Sequence, residues 1–437
     1  MASFDRTALP AKVPLSGSDC FHLVLDKHAQ RHSSGDNVMR IVFYFNNKIS
    51  AQKIEEVFKN SAVVHWLCNI RLVRGLFFSM PYWKYQDEGR DMLINENYHP
   101  EENEIPPGIL NRDIPIDAKR FVECDIVEYP SGKSTLVVSW NHILMDGRGI
   151  SMFIDHLQDV YNGSEIKLEK CFPGTEKTTG LFRYIKNMYE VKHFIQTSSK
   201  APVSSVARKG STSAQHFHNR IVSFSADETK HIEANAFAHG ARFGANLFYL
   251  SCCAGVVNEI NRQRNNEGVI WIPIPYDGRL KGSAGPIISN AVAYLFYRLE
   301  QPALAGVKQT VSAMNMQMAE QMRMEMPRKY SMLLNMMRHI PLGLYYFLVS
   351  RTGEGSFSSF LYSSTGNNFN KFTSLFGDEV RSLTIFPSTT FPPGLTFSFL
   401  KHADALNINI AYSPDIITNI ELDNIEKGLK QFLLSNT

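Results

Sequence analysis

The sequence predicts an α+β protein of two similar halves, each a mixed β-sheet with helices packed on it. Three observations carry this expectation. Apolar, β-branched runs such as 38–45 and 134–140 read as buried strands. After the second of them, Phe153, Ile154, Leu157 and Tyr161 lie three, four, seven and eleven residues beyond Ile150, which is one face of an amphipathic helix that Gly163 stops. The order of elements after residue 219 then echoes the order in the first half.

Taken in order, the chain opens with a loop, and Cys20-Phe21-His22-Leu23-Val24-Leu25 predicts a first strand. Residues 38–45 give a stronger one. Ser50 caps a helix whose core face is Ile54, Val57 and Phe58. The span 86–115 is polar and contains Pro100, Pro106 and Pro107, so it predicts a long surface excursion. Residues 121–129 alternate, turn at Pro130-Ser131-Gly132-Lys133, and return as the strand 134–140. Residues 163–219 read as a crossover with one helix, 181–197, and a linker-like stretch rich in Ser, Lys, Ala and Arg at 198–213. A strand at 220–224, helices at 226–238 and 245–262, and a buried strand at 268–275 follow. Strands at 358–366, 382–386, 394–400 and 406–412 come next, the last two joined by a tight turn at 402–405. A helix at 421–434, with apolar Leu422, Ile425, Leu429, Phe432 and Leu433, closes the chain. The expected division is a first half at 1–175, a crossover at 176–218 and a second half at 219–437.

Composition narrows the function classes. A chain of 437 residues has room for two domains of about 200 residues each. A net charge of +3, with no basic stripe carrying interleaved aromatics, argues against a nucleic-acid partner. The six cysteines show no CxxC and no pairing rhythm, which suggests a reducing compartment and no metal site. The first residues lack the apolar core of a signal peptide. The longest apolar run, 342–349, is far short of the roughly 20 residues a membrane span requires. The expectation is a cytoplasmic protein, free or attached to a membrane surface.

The chemistry-bearing stretch is Ser139-Trp140-Asn141-His142-Ile143-Leu144-Met145-Asp146-Gly147-Arg148-Gly149. His142 and Asp146 fall on the turn between a strand end and a helix start, and the glycines let the backbone bend sharply. An imidazole there is held by rigid neighbours yet can face a cleft. Acyl transfer from a thioester to an alcohol or amine needs the acceptor proton removed as the bond forms, and a neutral His is the commonest base for that step. A carboxylate four residues on either fixes the ring or ties the turn down. Asp146 reads better as a structural carboxylate paired with an Arg, since a buried charge needs a partner.

This unit resembles the HxxxD active-site motif of the CoA- or carrier-dependent acyltransferases. That superfamily includes chloramphenicol acetyltransferase, the plant BAHD acyltransferases, nonribosomal-peptide condensation domains and wax-ester synthases. Gly147 after the Asp is most similar to the condensation and wax-ester branches, which usually carry a doubled His; Asn141 stands where the first would lie. A second stretch, Pro275-Tyr276-Asp277-Gly278-Arg279 followed by Asn290, is similar to a Gly-Arg…Asn pattern of condensation-type enzymes. The DFGWG motif of the BAHD branch is absent. Residues 358–366 resemble the Ser-Asn-xx-Gly strand of the wax-ester and condensation enzymes, with Ser in place of the Asn.

The resemblance implies two chloramphenicol-acetyltransferase-like halves arranged in a V, with a tunnel between them that contains His142. It implies His142 as general base, a salt bridge from Asp146 to Arg279, and backbone N–H groups near Gly147 steadying the oxyanion. Asn141 and Asn290 would lie beside the substrate, and Ser364 or Thr365 would donate to the developing negative charge. No permanently bound cofactor is implied; acyl-CoA or an acyl-carrier-protein thioester is the co-substrate, a small molecule the acceptor, and the protein a monomer. Nine of the sixteen methionines lie between 314 and 337. Met is flexible and polarisable, so this segment reads either as core filler in two helices, or as the wall of a channel for a long acyl chain or a contact with a membrane surface. Two other readings stay open: a stand-alone condensation-type domain forming amides on carrier-bound substrates, and a non-catalytic protein on the same fold.

Overall fold

The computed structural model describes residues 6–435 apart from 33–36, 75–78, 165–167, 175–180, 201, 208–209, 212–215, 280–281, 284 and 351–357. The first part of the chain runs β1 (Lys12–Pro14), α1 (Gly17–Arg31), β2 (Val38–Phe45), α2 (Ala51–Lys59), α3 (Ala62–Cys68), β3 (Ile70–Val73), β4 (Tyr82–Tyr85), β5 (Ile94–Tyr98), α4 (Pro107–Leu110), β6 (Val122–Glu128), β7 (Ser134–Asn141), α5 (Gly147–Tyr161) and α6 (Leu181–Ser198). The rest runs β8 (His218–Phe224), α7 (Ala226–Ala238), α8 (Asn246–Gln263), β9 (Ile270–Asp277), β10 (Val292–Leu299), α9 (Val307–Arg323), α10 (Met326–Met337), α11 (Leu342–Ser350), β11 (Leu361–Ser364), β12 (Ser374–Leu375), β13 (Asp378–Phe386), β14 (Leu395–His402), β15 (Ala405–Tyr412) and α12 (Asn419–Leu434). The class is α+β with mixed sheets.

A six-stranded sheet, β12-β13-β2-β7-β6-β5, anchors the first half. Every residue of β2 and β7 is buried, which explains their unbroken apolar runs. One face of β2, with Met39, Ile41, Phe43 and Phe45, joins a core that also takes in Leu23 of α1, Ile54 of α2 and Phe153 of α5. The opposite face, with Val42 and Tyr44, packs against Ile105 and Ile109. Each large side chain fully buried here stabilises the fold by about 1.5–3 kcal/mol. A four-stranded sheet, β11-β14-β15-β8, anchors the second half. Its core joins Phe397 and Ile408 from the sheet to Phe248 of α8 and to Ile425 and Leu429 of α12.

The two halves are cross-braced. β13, from the last third of the chain, pairs antiparallel with β2, Phe386 opposite Arg40 and Leu383 opposite Phe43. Asn407 and Asn409 of β15 each donate Nδ2 to a β13 carbonyl, of Leu383 and Ile385, at 3.0 Å. Late strands therefore complete the early sheet, and the loops between β9 and β10 and after β11 reach back onto α5.

Two local expectations change. Residues 20–25 are helix, inside α1, where the sequence predicts a strand. Ser16 caps α1 by accepting from Asp19 N, and the Asp19 carboxylate returns to Ser16 N, a reciprocal capping box. That four-residue start, together with burial around most of the helix, overrides the short apolar run. At Gly17 an added Cβ would lie 2.3 Å from the Asn335 backbone nitrogen, so α1 meets α10 backbone to backbone. The polar span 86–115 is largely exposed, but it also supplies β5, which adds parallel to the edge strand β6, and the short α4.

The Met-rich segment forms α9 and α10. Met314 and Met326 are fully buried, whereas Met316 and Met322 face solvent, so the segment is part core and part surface. All six cysteines, Cys20, Cys68, Cys124, Cys171, Cys252 and Cys253, are buried free thiols. Among the described residues no helix is long and apolar enough to cross a membrane.

Candidate active site

The turn from β7 to α5 is fixed at several points. Asn141 ends the strand opposite Val38. Its Oδ1 accepts from Ile143 N at 3.1 Å and its Nδ2 donates to the Ile114 carbonyl at 2.8 Å, so the whole amide is spent on backbone. The Trp140 indole N–H donates to the Met145 carbonyl at 2.9 Å, and Ile143, Leu144 and Met145 are all buried. His142 N donates to the Asn37 carbonyl at 2.8 Å. The imidazole itself stays half-buried.

Asp146 is the N-cap of α5. Its Oδ1 accepts from Arg148 N and Gly149 N at 3.1 and 2.8 Å. Its Oδ2 accepts from Arg279 Nη1 and Ala291 N, both at 2.9 Å. Four donors thus saturate the carboxylate, which makes no hydrogen bond to His142 and acts as a strut. The Arg279 and Asp146 side chains are only 3% and 6% exposed, so this is a buried ion pair. Arg279 also donates to the Ser289 carbonyl at 2.9 Å. An added Cβ on Gly149 would lie 2.7 Å from Met145 Cβ and 2.8 Å from the Ile287 carbonyl oxygen, so only glycine allows the loop before β10 to press on the first turn of α5.

Arg279 and Asn290 stand at the two ends of the β9–β10 connection, which the Gly278 N–H closes onto the Ala291 carbonyl at 2.7 Å. Asn290 is the hub. Its Nδ2 donates to Asp19 Oδ1, His142 O and Ile143 O at 2.9, 2.9 and 3.1 Å. Three acceptors around that nitrogen fix the amide's orientation, so the oxygen is the atom 3.2 Å from His142 Nδ1. Nδ1 must then carry the proton and Nε2 the lone pair. Nε2 has no hydrogen-bond partner among the described residues. Burial pulls the imidazole below its ordinary pKa, against the opposing pull of its own backbone carbonyl, the Asp146 carboxylate and the Asn290 hydrogen bond. The ring is therefore held as a neutral base.

Behind Asn290 lies Asp19, fully enclosed, accepting from Asn290 N at 2.7 Å and from Ser16 N at 2.7 Å. Burial raises its carboxyl above the ordinary value, and the Asn290 and Ser16 hydrogen bonds oppose that. Three residues on, the buried His22 ring stacks on His142, centroids 3.9 Å apart and planes 19° apart. Sequence reasoning misses Asp19 and His22 because the apolar run at 20–25 reads as a strand. The pattern Ser16-x-x-Asp19 is the signal that marks a helix start there.

The remaining candidates separate. Thr365 is buried, donates its hydroxyl to the Phe399 carbonyl at 3.3 Å, and turns its methyl toward Gly147, 3.9 Å from where a Cβ would stand. The Ser364 hydroxyl donates to Asn246 Oδ1 at 2.8 Å. Ser364, Gly366 and Asn367 line a cavity of about 390 Å³ together with Arg242, Asn246 and Lys401, whose walls do not include His142. The next residue, Asn368, accepts from the Arg148 side chain and, through its carbonyl, from Ser151 Oγ. The turn after β11 thus lies between that cavity and the start of α5. Of the first N–H groups of α5, Arg148 and Gly149 serve the cap and Ile150 bonds the Asp146 carbonyl, which leaves Gly147 N–H uncommitted among the described residues. No cluster of metal-ligating side chains occurs among the described residues.

A chain organised this way has the chloramphenicol acetyltransferase-like, condensation-domain fold. The first condensation domain of the CDA synthetase superposes with a TM-score of 0.68 at 14% identity, over 97% of this chain and 96% of that one. TRI3 trichothecene 15-O-acetyltransferase from Fusarium sporotrichioides gives 0.68 at 12% identity over 99% of both chains. Polyketide synthase associated protein 5 from Mycobacterium tuberculosis gives 0.60 at 13% identity, over 98% and 100%. No family model matches the sequence, and no curated relative matches it.

Proposed function

We propose that the protein is an acyltransferase that moves an acyl group from a thioester to a hydroxyl or amine acceptor, with His142 as general base. The observation that carries this reading is the His142 ring, whose proton is pinned on Nδ1 by Asn290 while Nε2 is left without a partner. A packed core histidine would have both nitrogens satisfied. In the proposed reaction the acceptor heteroatom attacks the thioester carbonyl carbon as Nε2 takes its proton. The tetrahedral oxyanion is met by the Gly147 N–H, at the positive end of the α5 dipole. Collapse expels the thiolate, which recovers the proton from the His142 imidazolium. Asp146 and Arg279 hold the turn and stay out of the proton path.

The donor is a CoA or carrier-protein thioester. Condensation domains and an acetyltransferase among the structures of like fold support a thioester donor without deciding between the two. The test is incubation with a panel of acyl-CoA and acyl-carrier thioesters plus cell extract, with mass spectrometry for released thiol and acylated product. Transfer from carrier thioesters alone would assign the condensation-type reading; thiol release from neither donor class would refute the acyltransferase.

A further inference from the structure

The stack of His22 on His142 has no part in the proton path described above, and its geometry calls for a role of its own. His22 projects from α1, one helical turn after Asp19, and is 5% exposed. Its Nδ1 lies 3.2 Å from Asn37 Nδ2, and Asn37 also accepts His142 N through its backbone carbonyl. Asn37 therefore holds one ring by its side chain and the next by its main chain. The preceding residue, Phe21, abuts Tyr294 edge-on at 5.8 Å, which wedges this part of α1 against β10. Asn290 restrains the His142 ring at its Nδ1 edge and does not by itself fix the ring plane.

We propose that His22 is the positioning residue of this site: its flat ring, stacked on His142, fixes the plane in which Nε2 is presented and closes that face of the imidazole to water. The proposal rests on His142 being the working base, and it makes His22 a residue that touches the base and not the substrate. The titratable and charged groups around the pair are Asp19 on α1, Asp146 with its partner Arg279, and Tyr294 on β10. Asp146 and Arg279 neutralise each other. His22 is itself driven well below its ordinary pKa by burial and then by the proximity of His142, so it stays neutral when His142 takes a proton. A neutral aromatic face beneath a transient imidazolium repels it less than a second cation would, so the pair carries at most one positive charge.

The test compares His22→Phe, which keeps a flat ring, with His22→Ala, which removes it, and His22→Gln if the alanine variant does not fold. Two readouts are taken on the full chain: the His142 titration by ¹³C/¹⁵N NMR, and the split between kcat and KM. His22→Ala is expected to raise the His142 pKa by roughly one unit as water reaches the ring, and to lower kcat about tenfold with KM nearly unchanged. His22→Phe is expected to restore both to near wild type. An unmoved His142 titration in His22→Ala or Gln, or a Phe variant as impaired as Ala, would overturn the proposal. The NMR arm does not depend on turnover, so a wild-type protein that transfers no acyl group would refute the proposed function while leaving this comparison readable.

Discussion

Asn290 grips His142 twice, through its oxygen 3.2 Å from the ring Nδ1 and through its nitrogen 2.9 Å from the main-chain carbonyl of the same residue. The two contacts join residues 148 positions apart in the chain, and they set the tautomer of the imidazole. In ¹⁵N NMR of the neutral protein, His142 should show a protonated Nδ1 and a bare Nε2. Asn290→Ala should let both tautomers populate and lower kcat by about 10–100-fold, with some loss of stability because Asp19 and the His142 and Ile143 carbonyls each lose the Nδ2 donor.

Removing the Asp146 charge tests the strut. In Asp146→Asn the buried Arg279 guanidinium keeps only the exposed Asp277 carboxylate, 3.3 Å away, so stability should fall by about 3 kcal/mol, read by chemical denaturation. Activity should fall with it, because the turn that carries His142 loosens. Asp146→Asn that is as stable as wild type would show that the ion pair does not hold the turn.

Gly149→Ala should destabilise by about 1–3 kcal/mol. Its new methyl would meet the Ile287 carbonyl and Met145 Cβ at under 3 Å. The displaced 287–291 segment carries Asn290, so kcat should drop as well. Gly147→Ala, whose added Cβ meets only the Thr365 methyl at 3.9 Å, should be far milder in its effect on stability and serves as the control for the denaturation measurement.

Acid should weaken the fold before it unfolds a typical carboxylate-rich protein. His28 and His156 are pulled down to about 4 by burial, and His22 and His142 are also lowered. As pH falls below the ordinary histidine value of 6.5, these residues stay neutral when folded but take up protons when unfolded, so stability is lost. Each contributes up to about 1.4 kcal/mol per pH unit in that window. Asp26, raised to about 6 by burial, and Asp19, also raised, act in the opposite sense and offset part of the loss. The net expectation is a melting temperature that falls steadily from pH 7 to 5. In the same sense, the acid limb of kcat should lie below the usual histidine range. A limb above pH 7 would contradict a desolvated His142.

The strands that deliver the site are legible in the sequence because β2 and β7 are buried on both faces and so carry unbroken apolar runs. The helix after His142 is legible from its 3-4 spacing, and Arg279 and Asn290 from a resemblance in sequence order. What local pattern could not show was contact across the chain. Asp19 and His22 reach the site only because α1 docks against the β9–β10 connection and against α10, where Gly17 meets Asn335. Asn141 looks like a substrate residue by its place in the motif, yet its amide is consumed by Ile114 and Ile143. Ser364, the last residue of β11, lines a cavity, while Thr365, the first residue after it, turns its methyl toward Gly147.

The central claim is that His142 Nε2 removes the acceptor proton. The most direct measurement is thiol release and product formation from the thioester panel by the wild-type protein and by His142→Ala, with circular dichroism to confirm that both are folded. The account predicts transfer by the wild type and a fall to background in a well-folded His142→Ala. Transfer by His142→Ala at the wild-type rate would contradict it.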